Sequence, residues 1–199
     1  DWTVSSSGWW NHRFGTVVFD GSGKQTFISG GHDFNNLIHS GSGELELTDD
    51  NLEVTGTLTQ SGTGNFDTQG LDITAAGLVV SGGTFNADAL AGAWDIGTAG
   101  LDIQASSTLT ATSGTMYLAG DFTVDAASGE FIHNSGLVTF DGAAEQTVTS
   151  ASSTFNAITV TNASADGVTF ADAFTAASLT NITASSKMTF SAGDTYTIT

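Results

Sequence analysis

Four histidines, 21 acidic side chains and no cysteine bound the chemistry open to this chain of 199 residues. Without cysteine there are no disulfides, thiolate metal sites or cysteine nucleophiles. His12, His32, His39 and His133 show neither His-x-x-x-His nor His-Glu-x-x-His spacing, so no pair is set to hold zinc from one helical turn. Serine is plentiful, yet no Gly-x-Ser-x-Gly elbow presents one as a nucleophile. Acids concentrate between Glu44 and Glu53. Glu44 and Glu46 point to the same side of a strand, and with Asp49 and Asp50 they are the calcium candidates. No EF-hand loop or glycine-rich nonapeptide supports them, and a solvated acidic face is the simpler reading.

Cleavage of a glycan needs two carboxyls about 5 to 9.5 Å apart across a groove. Asp20 and Asp141 fall in matching Phe-Asp-Gly units, where Asp-Gly makes a turn, and a repeated residue suits a unique catalytic role poorly. A lyase acting on uronic acids needs cations, and the chain has three: Arg13, Lys24 and Lys187. The sequence therefore assigns no catalytic residue and no required cofactor, and a non-enzymatic protein is expected. Trp2, Trp9, Trp10 and Phe14 form the densest aromatic group. They suit capping of the first coil or contact with a neighbouring subunit, and an indole among them could stack on a sugar. Threonines recur at every second place in Thr55, Thr57, Thr59, in Thr108, Thr110, Thr112 and in Thr195, Thr197, Thr199. Such arrays raise ice binding as an alternative to the strand propensity of threonine.

The elements that would carry these residues are short. Apolar runs of three to six residues alternate with polar ones between Gly, Ser, Asn and Asp, which is the pattern of strands. Expected strands include Thr16 to Phe19, Gln25 to Ile28, Leu52 to Leu58, Leu71 to Ile73, Leu101 to Ile103, Leu137 to Phe140, Ala157 to Val160 and Thr195 to Ile198. Asn86 to Ala93 comes nearest to a helix, but Gly92 argues for loop or strand. Proline, which removes a ladder donor, is absent.

A long repeat orders these strands. Asp1-Trp2-Thr3-Val4 returns as Asp121-Phe122-Thr123-Val124, and Phe19-Asp20-Gly21 as Phe140-Asp141-Gly142. Gln25-Thr26 returns as Gln146-Thr147 and Phe34-Asn35 as Phe155-Asn156, at the offset of 121 that Phe19 and Phe140 also show, one more than the 120 of the opening four residues. His12 and His133 match likewise and are expected at one place on two coils. A shorter echo pairs Gly70-Leu-Asp-Ile73 with Gly100-Leu-Asp-Ile103. Self-similarity at fixed spacing marks stacked units. The expected fold is all-β: a parallel β-solenoid of about seven to ten coils with Gly/Ser/Asn corners. It forms one domain over 1–199, with a full unit at 1–120 and a partial second unit at 121–199. The matched phenylalanines are expected inside, and Asn35 and Asn156 at corners, where Asn tolerates left-handed backbone.

The net charge of −18 disfavours nucleic acid and anionic membrane surfaces, because both need clustered Lys and Arg. No run of about 18 apolar residues is present to span a bilayer as a helix. An acidic surface suits the outside of a cell, where divalent cations screen carboxylates.

The pattern Val-x-Phe-Asp-Gly-x-x-x-Gln-Thr, then Phe-Asn-x-(Leu/Ile) and Thr-Tyr-Thr-Ile, resembles the strand repeats of large bacterial surface proteins of the filamentous-haemagglutinin and autotransporter-passenger kind. The resemblance implies a right-handed β-helix, export to the bacterial surface, and an adhesive or architectural role. It carries over no catalytic residue. The expected function is a structural subunit or segment of a surface fibre, sheath or adhesin. Self-association through the ends is expected to involve the terminal strand Thr195, Tyr196, Thr197 and Ile198. A carbohydrate- or ice-binding module is the alternative, with an extracellular glycan as the other expected partner.

Overall fold

The computed structural model describes residues 1–87, 91–183 and 186–199. Among them there are 22 strands and no helix. Every strand pair is parallel. The chain winds through three faces and then repeats them one strand spacing, about 4.8 Å, further along the axis. The result is a β-solenoid of about nine coils.

Interior columns show the winding. The first face runs from Trp2 through Phe27 to Leu47, and beside that column from Leu45 through Phe66, Phe85 and Leu109 to Phe131. On the second face Leu52, Ile73, Trp94, Met116, Val138 and Ile158 stack. The third carries Val17, Leu37, Leu58, Leu78, Leu101 and Phe122. Stacked partners stand 19 residues apart at Phe66 and Phe85 and 25 at Trp2 and Phe27, so coil length varies with corner length. Alternation gives each strand one face inside: Leu52–Gln60 reads buried, exposed, buried, exposed up to its bend. Phenylalanine and tryptophan fill the middle, with neighbouring rings near 5 Å, as in Phe66 with Phe85 and Phe85 with Trp94. Each buried ring contributes about 1.5 to 3 kcal/mol.

The expected strands are present, with small shifts. Leu52–Gln60 is longer than expected; Leu71 and Asp72 precede the strand that starts at Ile73; the terminal strand is Tyr196–Ile198. In the segment expected as loop or strand, Asn86 ends the strand Gly83–Asn86, and residues 91–93 are irregular. Asp88 to Leu90 lie outside the described residues.

The long repeat is a repeat of geometry as well as sequence. The backbone N–H of Phe14 donates to His12 Nδ1 at 3.1 Å, and that of Ser135 to His133 Nδ1 at 2.9 Å. Gly21 N–H reaches Gln25 Oε1 at 3.1 Å, and Gly142 N–H reaches Gln146 Oε1 at 2.9 Å. The T-shaped pair of Trp2 and Trp10 at 5.2 Å becomes Phe122 and Phe131 at 5.1 Å.

The two copies do not lie over one another. Trp2 is on the first face and its counterpart Phe122 on the third; Phe19 is on the third and Phe140 on the second. The unit spans five and two-thirds coils, so its second copy is turned by one face. His12 and His133 therefore occupy the same local turn but different sides of the solenoid, against the expectation of one shared place. The bend between adjoining strands moves with the unit, from Asn35, between Asp33–Phe34 on the second face and Asn36–His39 on the third, to Asn156 in Thr154–Val160, between the first face and the second. Phe19, Phe34, Phe140 and Phe155 are all buried as expected. Asn35 and Asn156 stand at bends, but neither has the left-handed backbone expected of them.

Candidate functional site

The four histidines are kept apart by the winding. His12 Nε2 lies 3.2 Å from Asp33 Oδ2 at a partly exposed position. His32 Nε2 contacts the Ser5 carbonyl at 3.1 Å, and His133 accepts the bond from Ser135 described above. His39 is fully buried. Among the described residues, no three of His, Asp and Glu come together in a way that could hold a metal ion.

Glu44 and Glu46 do share a side of their strand, as their spacing requires, but they converge on Lys24. Its ammonium is 2.9 Å from Glu44 and 3.0 Å from Glu46. These two carboxylates hold the lysine above its ordinary pKa, Glu44 first. The calcium candidates Glu44, Glu46, Asp49 and Asp50 thus divide: the first two bind an internal cation, and Asp50 lies at the next corner. There Asp50, Asn51, Glu53 and Asp72 border a shallow depression of about 330 Å³. Its groups are largely spent on the scaffold. Asn51 donates to Asp72 Oδ2 at 2.9 Å, and Asp72 accepts from Ala93 N–H at 2.6 Å.

Asp20 and Asp141 sit just beyond matching strands. The Asp141 carboxyl is raised above its usual pKa, first by partial burial and second by Asp95. Asp141 N–H bonds the Leu118 carbonyl at 3.1 Å, so this residue also ties a corner to the coil beneath.

The aromatic group splits in two. Trp2 and Trp10 are partly buried and pack on the core, and Trp10 Nε1 donates to the Asp33 carbonyl at 3.0 Å. Trp9 and Phe14 are each 86% exposed, and the Phe14 ring meets the His12 imidazole edge-on at 6.1 Å. At the other end, Tyr196 packs on Phe174 and Phe190, and its hydroxyl donates to the Phe170 carbonyl at 3.0 Å. Thr195 and Thr197 are exposed beside it, and Ile198, stacked on the buried Ala176, is an inward position that stands half-exposed on the last coil.

Two of the three expected threonine arrays are broken, while Thr195, Thr197 and Thr199 are all exposed. The strand register shifts between Val54 and Thr57, which puts Thr55 on the second face and Thr57 and Thr59 on the third. Thr112 is buried and donates to the Gly92 carbonyl. Other ladders run from coil to coil: Thr154, Thr175 and Thr197 on the first face, Thr139, Thr159 and Thr180 on the second, Thr147, Thr169 and Thr189 on the third.

Sequence reasoning missed the buried polar interior. His39 Nδ1 and Gln60 Oε1 are 2.6 Å apart, and Gln60 Nε2 donates to the carbonyls of Gly62 and Gly64. That fixes the Gln60 oxygen toward the imidazole, so Nδ1 carries the proton and Nε2 is left without a partner. Burial lowers the His39 pKa, and the Gln60 bond opposes this more weakly. In the second unit Gln146 bonds the carbonyls of Leu118 and Gly120 at 2.8 and 2.7 Å. The only sequence signal for the first pair is the 21-residue spacing of His39 and Gln60, one coil length.

The class of protein that these contacts define is a parallel β-solenoid with an internal two-unit repeat. No family model matches the chain, and neither the curated proteins nor the solved structures contain a match to it.

Proposed function

We propose that this protein is a non-enzymatic structural β-solenoid: a subunit or segment of a bacterial surface fibre, sheath or adhesin. The bacterial surface-repeat resemblance and the acidic composition support export. The observation that carries the reading is the regenerated unit. From residue 121 onward the opening part of the unit re-forms its own turns and ring contacts while a continuous parallel ladder joins it to the coils before, so length is added without new kinds of contact. Such a chain is a spacer or rod by construction. Its end coils carry open strand edges that suit stacking on a further repeat or another molecule.

Negative-stain electron microscopy of the purified chain tests this directly. Elongated particles that join end to end are expected. A monodisperse, unassembled protein that binds a defined glycan on an array would refute the structural role in favour of a binding module.

A further inference from the structure

The outer surface of the third face differs from the other two. Outward positions on the first face include Glu44, Glu46 and Asp67, and on the second Asp33, Glu53 and Asp95. On the third face the outward column of the first four coils is Val18, Ile38, Thr59 and Val79, flanked by Thr16 and Thr57. Within the four strands of this face no outward side chain is charged, in a chain of net charge −18. Charge returns only at Asp102 in the fifth coil. Phe14 projects at one rim of this surface beside Arg13, and Asp20 stands at the opposite rim of the same coil.

The second unit serves as a control built into the molecule. Its counterparts of Phe14, Val18 and Ile38 are Ser135, Thr139 and Thr159, and the turn and strands keep their geometry. The fold therefore does not require apolar groups at these places. Ser135 is exposed although a complete coil packs beneath it, so this position looks outward wherever it occurs in the solenoid. Backbone geometry sharpens the contrast. Arg13 and Phe14 have φ of 44° and 61°, and Asn134 and Ser135 have 47° and 64°. Left-handed backbone costs an ordinary side chain about 1 to 2 kcal/mol, and asparagine bears it more easily. The first unit holds a strained, exposed phenylalanine where the second holds serine, and strain of this kind collects at functional positions.

We propose that the third face of the first four coils docks a second copy of this chain. Two copies meeting through either other face would oppose carboxylates, whereas this face brings together uncharged, flat sheet surfaces that can pack about 10 Å apart. With the two solenoids side by side and parallel, a two-fold axis along them sets the Phe14 rim of one copy over the Asp20 rim of the other. Arg13 of each copy then faces Asp20 of its partner, and the contact is self-complementary. Within one chain, neither Arg13 nor Asp20 forms an ion pair among the described residues. Four strands of four residues cover about 250 Å² per copy, below the roughly 800 Å² of a standard interface, so a weak, reversible association is expected. This pairing is lateral and does not depend on the end-to-end role proposed above.

Sedimentation equilibrium of the full chain, with melting followed in parallel, tests the proposal. Wild-type protein is expected to show a monomer–dimer equilibrium. Phe14→Ser/Val18→Thr/Ile38→Thr, which installs the second unit's own residues, is expected to weaken it at least about tenfold without loss of folding. Arg13→Asp is expected to weaken it as well, and adding Asp20→Arg to restore it. A wild type that stays monomeric at the highest soluble concentration would overturn the proposal, as would a dimer indifferent to the triple variant or a charge swap without rescue. End-to-end particles in the microscope would survive the triple variant, so the two readings can fail separately.

Discussion

Replacing Gly64 by alanine isolates what holds the coils at their spacing. At the corner from the third face to the first, Gly21-Ser-Gly23, Gly41-Ser-Gly43 and Gly62-Thr-Gly64 stack coil upon coil. A methyl at Gly64 would lie 1.8 Å from the Gly43 carbonyl oxygen, and one at Gly43 would lie 2.1 Å from the Gly23 oxygen. The Gly64 contact falls more than 1 Å short of any tolerated approach, and its partner is backbone that cannot rotate away. Gly64 does not use a left-handed backbone, so the penalty is one of contact. Relief requires the coils to part, at the expense of the Gly64 N–H bond to Gly41 and the Thr84 N–H bond to Gly64, at 3.2 and 3.1 Å. Overpacking together with two weakened hydrogen bonds gives a loss of about 3 kcal/mol. For a chain of this size that is a fall in Tm of about 6 to 12 °C. Gly23→Ala provides the contrast, because its methyl meets nothing within 4 Å. It should change stability by less than about 0.5 kcal/mol, or raise it slightly by narrowing the unfolded ensemble. Urea unfolding followed through the buried Trp94 indole reads both variants. Equal stabilities for Gly64→Ala and Gly23→Ala would refute the reasoning.

His39 predicts a specific loss of stability in acid. Its folded pKa lies below the ordinary 6.5, so the unfolded chain binds the extra proton, and stability should fall as pH drops through about 6.5 toward the folded value. His39→Val/Gln60→Val, which continues the column with the residue found at Val80, should flatten that part of the pH profile of urea unfolding; an unchanged slope would exclude His39 as its cause. Calcium titration by calorimetry should give no saturable heat that depends on Glu44, because Lys24 already stands between Glu44 and Glu46. A saturable signal abolished by Glu44→Gln would show that the cation displaces the lysine.

What could be read from the sequence is what lies within one strand or one matched pair. Alternation located Thr16–Phe19 and Leu137–Phe140, and the matched phenylalanines proved to be core. Contacts at one coil length were hidden. Lys24 with Glu44, His39 with Gln60, and the ladder from Thr154 to Thr197 all join residues 20 to 22 positions apart, and that number changes with each corner. The array of Thr55, Thr57 and Thr59 was misread for this reason: Thr55 and Thr57 are close in sequence but lie across a bend, whereas Thr147 and Thr169 are neighbours in space. The rotation of the second unit was equally invisible, since an offset in sequence does not state how many coils it contains.

The fractional coil count gives the molecule a screw symmetry. Each unit of five and two-thirds coils advances about 27 Å along the axis and turns its successor by a third of a revolution. A longer array of the same unit would need three copies, about 82 Å, before any side chain returned above its starting point. A docking patch carried once per unit would then face three directions in succession, so neighbours recruited by it would surround the rod rather than line one side.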